Sequence, residues 1–62
     1  MNIGDLVRIN DLCRDRVLVG TLGTVVETDI KEEWHSWLLA SVLTVKGIVK
    51  FRQDTPQLEV VV

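Results

Sequence analysis

The sequence predicts a small all-β protein, a five-stranded barrel that takes up residues 1–62 as a single domain. Three observations carry that reading. A chain of 62 residues leaves room for one domain only. Runs of β-branched and apolar residues recur between turn signals at near-regular spacing. Finally, Trp37 to Val45, Lys46-Gly47 and Ile48 to Phe51 read as a long strand, a tight turn and a second strand folded back on the first. The first of these strands is apolar on both faces. Trp37, Leu39, Leu43 and Val45 fall on one side, and Leu38, Ala40 and Val42 on the other.

Taken in order, Gly4-Asp5 is turn-prone, and Val7 and Ile9 then alternate with Arg8 in the pattern of a half-buried strand. Asn10-Asp11 ends it with turn chemistry. Leu12 to Arg16 has no periodicity and predicts a loop with charges of both signs. Val17-Leu18-Val19 leads into Gly20-Thr21-Leu22-Gly23, whose two glycines predict a positive φ or a bulge. Thr24 to Thr28 is the second strand, and Asp29 to His35 a polar connection into the central one.

Residues 30–40 leave two readings open. One is loop and strand. The other is a helix capped by Asp29 and Glu32, with Ile30, Trp34, Trp37 and Leu38 at nearly helical spacing. Beyond the turn at Lys46-Gly47, Val49 and Phe51 alternate with Lys50 and Arg52. Gln53 to Gln57 is a turn around Pro56, and Leu58, Val60 and Val62 close the sheet. The predicted core is Val7, Ile9, Val26, Leu43, Val49, Phe51, Leu58 and Val60, with Val25 and Val26 exchanging faces if Gly23 sits in a bulge.

Composition narrows the function. A formal net charge of −2 argues against a general nucleic-acid binder. A single Cys, Cys13, permits no intrachain disulfide, and with one His it cannot close a structural zinc site. Cys13 is expected in a loop and structurally incidental. No stretch reaches the roughly 20 apolar residues of a membrane span, and Met1-Asn2-Ile3-Gly4-Asp5 does not open like a signal peptide, so a cytoplasmic protein is expected.

Gly4-Asp5-Leu6-Val7-Arg8-Ile9, Gly20-x-x-Gly23-Thr24-Val25-Val26-Glu27, Val42-Leu43-x-x-x-Gly47 and Leu58-Glu59-Val60-Val61 together resemble the small SH3-like barrels. KOW-type nucleic-acid modules, the variable chain of ferredoxin–thioredoxin reductase and photosystem I subunit IV share that skeleton. Short bacteriophage proteins, including those of marine cyanobacterial phages, are similar in length and in the closing Leu-Glu-Val-Val. The resemblance spans nearly the whole chain. Its motifs are turn glycines and strand valines, so it implies a fold rather than an activity.

Catalysis needs a nucleophile, a base and an orienting group within reach, and the one pair on offer, Cys13 and His35, sits in different loops. Glu27, Asp29, Glu32 and Glu33 lack the spacing of hard-metal ligands and read as a solvated acidic loop. A non-enzyme with no cofactor and no metal is therefore expected. Trp34-His35-Ser36-Trp37 is the sharpest candidate, because clustered aromatics grip peptides or bases. Trp34, His35, Trp37 and Leu38 are the expected protein-binding residues, with Trp37 also plugging the barrel end. The alternative is a KOW-like nucleic-acid module using Arg8, Lys50 and Arg52, all on predicted outward faces. A homodimer is also expected, since a strand apolar on both faces exceeds what so short a chain can cover. Trp34 would sit at its rim and Leu38 at its centre, unless a helix over 30–40 hides the same side chains.

Overall fold

The computed structural model describes residues 1–34 and 36–61. Among them β1 spans Leu6–Ile9, β2 Leu22–Ile30, β3 Leu39–Thr44, β4 Gly47–Arg52 and β5 Leu58–Val60. All pair antiparallel in one sheet of order β4-β3-β2-β1-β5. β4 and β5 are its two edges, so the five predicted strands form an open sheet and not a closed barrel. Residues 31–34 and 36–38 are turn and loop, so the described residues decide the open choice there against a helix.

The sheet curls because β2 is bent. Its partnership with β3 passes from Val25↔Val42 to Glu27↔Ser41 and then to Ile30↔Leu39, an extra residue at each step. Each such bulge adds local twist. At the second step Asp29 takes a φ of 58°, a conformation that Asp tolerates better than most residues. Its N–H donates to Gln53 Oε1 at 2.6 Å, and Gln53 Nε2 donates back to Asp29 Oδ1 at 3.1 Å. The bend in β2 is thereby tied to the end of β4.

The hairpin turn falls one residue earlier than expected. Thr44 pairs with Gly47, leaving Val45 and Lys46 as the turn and Gly47 at a φ of 109° directly after it. The Thr44 hydroxyl accepts from the Lys46 N–H at 3.1 Å and donates to the Gly47 carbonyl at 2.8 Å. Of the two earlier glycines, Gly20 has the positive φ, 83°. Gly23 instead permits close approach: a Cβ there would collide with Val42 Cγ1 and lie 2.9 Å from the Leu43 carbonyl oxygen.

The core lies on the inner face. Val7, Ile9, Val25, Val42, Phe51 and Leu58 come from the strands, and Cys13 and Leu18 from the 10–21 loop. That loop returns to β1 through Gly20 N–H to Ile9 O at 2.7 Å and Ile9 N–H to Thr21 O at 2.9 Å. Val49 is partly buried against the cluster. Three predicted core residues are exposed instead: Val26, Leu43 at 48% and Val60 at 49%. On β2 and β3 the inward residues are Val25 and Val42. On β5 Val60 faces inward opposite Val7, but at the open edge of the sheet. Cys13 is no incidental loop residue, being buried in the core. No helix among the described residues is long and apolar enough to cross a membrane.

Candidate functional site

The chain leaves β2 at Ile30, makes the 31–38 loop, and re-enters the sheet at Leu39 beside Arg52. Gln53 N–H donates to the Leu38 carbonyl at 2.9 Å and ties this loop to the turn after β4. Between the loop, that turn and the N-terminus opens a groove of about 500 Å³ lined by Met1, Ser36, Trp37, Leu38, Gln53 and Asp54. Trp37 and Leu38 are both exposed there, Trp37 at 38%.

Arg52 contacts two of the residues that line this groove, Trp37 and Asp54. Its Cζ lies 4.9 Å from the centre of the Trp37 ring, within cation–π range. Its Nε and Nη2 reach the two Asp54 carboxylate oxygens at 3.1 and 3.2 Å, a fork that fits both partners. That hydrogen bonding from Arg52 holds the Asp54 carboxyl below its ordinary value. The result is an apolar strip, Trp37 and Leu38, with an ionised carboxylate at its rim and a donor-acceptor amide, Gln53, beside it.

The expected site residues divide. Trp37 and Leu38 share the groove, but Trp37 does not plug an end of the fold. Cys13 and Leu18, from the 10–21 loop, are the loop residues packed into the core. Trp34 lies outside the lining, 78% exposed, with its indole N–H donating to Glu32 Oε2 at 3.3 Å. His35 lies outside the described residues. Met1, Gln53 and Asp54 line the groove without having been anticipated, since the sequence marks 53–57 only as a turn.

Comparison of the chain with family models, curated proteins and solved structures finds no match.

Arg8, Lys50 and Arg52 do not make one basic stripe. Arg8 is on β1, with β2 and β3 between it and Lys50 and Arg52 on edge strand β4. Each also has a carboxylate: Arg8 with Glu59 at 2.7 Å, Lys50 with Glu32 at 3.6 Å and Arg52 with Asp54 at 3.1 Å. A phosphate would have to compete with each of these partners.

Proposed function

We propose that this chain is a non-catalytic SH3-like binding module that holds an extended segment of a protein partner in the Trp37–Leu38 groove. The observation that carries this reading is the groove itself. It is a concavity in which Met1, Trp37 and Leu38 offer apolar surface beside Ser36, Gln53 and Asp54, and an arginine stacked on Trp37 and ion-paired with Asp54 fixes two of its lining residues. An apolar anchor on the partner segment lies on Trp37 and Leu38, and a donor of that segment shares the Asp54 carboxylate with Arg52, while the Gln53 amide stays engaged with Asp29. Aromatic-lined clefts bind peptides in this manner because the indole is rigid and loses little freedom on contact. A five-stranded antiparallel meander whose last strand returns to the first, with β2 bent at two bulges, supports the SH3-like description.

Selection from a displayed library of random peptides tests the proposal. Clones that share an apolar anchor should emerge on the unaltered protein and lose at least tenfold in affinity on Leu38→Glu. A library that yields no such clones, or clones indifferent to Leu38→Glu, removes the groove as the site. Titration with single- and double-stranded oligonucleotides at low salt examines the nucleic-acid alternative. A logarithm of affinity that falls linearly with the logarithm of salt concentration would favour phosphate contacts over a peptide groove.

A further inference from the structure

The outer face of the sheet carries an apolar row that crosses β1, β2, β3 and β4. The registers align Leu6 with Thr24, Thr24 with Leu43 and Leu43 with Ile48. Val61, whose N–H donates to the Leu6 carbonyl at 2.8 Å, extends the row beyond β5. Leu22 lies two residues from Thr24 on the same face of β2. All six side chains are exposed, and no charged residue interrupts the row. From these exposures the apolar area is on the order of 500 Å², at the upper end of what an ordinary monomer shows as one patch.

We propose that a second copy of this chain covers this face, in a symmetric dimer formed sheet against sheet. Three features select a copy over another partner. The row alone offers on the order of 500 Å², more than half of the roughly 800 Å² per partner of a standard interface. The charges at its flanks are already neutralised, Arg8 by Glu59 and Lys50 by Glu32, so the face neither requires an oppositely charged partner nor repels itself. The row is also self-complementary. Thr24, the smallest of the six, is flanked by Leu6 on β1 and Leu43 on β3. A two-fold axis in the interface above Thr24, parallel to β2, sets Leu6 of one copy over Leu43 of the other. Each contact then occurs twice, as an isologous interface requires. Leu38, the expected dimer centre, is in the groove on another part of the surface.

Sedimentation equilibrium at tens of micromolar should give twice the 7.0 kDa of the chain. Leu43→Glu should give the single-chain mass and still melt cooperatively, at a temperature that no longer depends on protein concentration, because Leu43 is outside the core of the single chain. Leu38→Glu, which removes groove binding, should leave the dimer intact, so the two proposals fail separately. Should Leu43→Glu not fold, Leu6→Cys with Leu43→Cys decides the matter. Mild oxidation should link two chains in the double variant and far less in either single one. A single-chain mass for the unaltered protein, a dimer that survives Leu43→Glu, or no double-specific cross-link would overturn the proposal.

Discussion

The two ends of β3 have unlike surroundings. From Leu39 to Val42 both faces are buried, while one residue later Leu43 is bare on the outer side. The inner residues, Ala40 and Val42, are fully buried at both ends, so the sheet's own core does not make the difference. What differs is the chain available to lay against the outer face. At the Leu39 end, Ile30 and Arg52 flank the strand, and the 31–38 loop brings Trp37 under the Arg52 guanidinium. At the Leu43 end the connection to β4 is the tight Val45-Lys46 turn, and Leu43 has only Thr24 and Ile48 beside it. A strand apolar on both faces therefore does not require a partner along its length. It requires one only where the connecting loops run out.

β4 offers the sharpest way to break that comparison, because it carries one residue of each kind. Phe51 is buried opposite Ala40, whose small side chain leaves space for the ring. Phe51→Ala should cost roughly 3–5 kcal/mol, a large part of the stability of a domain this small. Ile48→Ala, on the bare outer face, should change the stability of a single chain by no more than about 0.5 kcal/mol. Urea denaturation of both variants measures the contrast. Equal losses would mean that the sheet has been read inside out.

A smaller effect is expected where β2 and β3 approach most closely. Gly23→Ala puts a methyl group against the buried Val42 and the immovable Leu43 carbonyl. Overpacking of this kind typically costs about 1–3 kcal/mol. Gly20→Ala provides the contrast, since nothing lies near that Cβ and only the positive φ opposes the substitution. If Gly23→Ala denatures at the same urea concentration as the unaltered protein, β2 and β3 are not in close contact there.

How far the sequence could be read follows from the same contrast. Ile9, Phe51 and Leu58 lie between polar neighbours and Val7 alternates with Arg8, so their inward direction was legible and the structure buries all four. Val25-Val26 and Val42-Leu43 are adjacent apolar pairs, for which alternation cannot decide which member points inward. The larger leucine was expected inside. The core instead takes Val42, because that face already holds Phe51 and packs large residues against Ala40 and Gly23. Cys13 and Leu18 were illegible for another reason: loop residues have no period, and only the return of the 10–21 loop to β1 places them. At the candidate site, the tryptophan-rich segment was visible as composition. Its partners Met1, Gln53 and Asp54 are remote in sequence and meet it only through the bend in β2 and the Leu38–Gln53 hydrogen bond.

Cys13 tests whether loop cover is as important as strand packing. Cys13→Ser exchanges a weakly polar thiol for a hydroxyl in a site lined by core residues, which should cost about 1–2 kcal/mol by the mutational record for buried polar groups. A loss near zero would indicate that the 10–21 loop opens easily and lets water reach the hydroxyl. Thermal melts of Cys13→Ser and Cys13→Ala separate the two, because only the serine benefits from water.

The smallest effect belongs to the exposed outer face, at the pair Arg8–Glu59 that flanks the apolar row. Glu59 accepts from Arg8 Nη2 at 2.7 Å and from Asn10 Nδ2 at 3.1 Å. These hydrogen bonds, Arg8 first, hold its carboxyl below the ordinary value of 4.5. A carboxyl with a lowered folded-state pKa stabilises the fold above its unfolded pKa, and that contribution is lost as pH falls through the folded value. Arg8→Ala should therefore raise the Glu59 titration midpoint towards its ordinary value, but not fully, since Asn10 still donates. The difference in stability between Arg8→Ala and the unaltered chain should be greatest near neutral pH and vanish in acid. Salt should weaken it throughout, because the pair is open to solvent. Asp54 is the internal control, its low value deriving from Arg52 on the opposite edge strand and thus indifferent to Arg8→Ala. Side-chain carboxyl shifts followed by NMR across the acid range resolve both groups. An unmoved Glu59 would leave the outer flank without the neutralised charge on which the fit of a second copy depends.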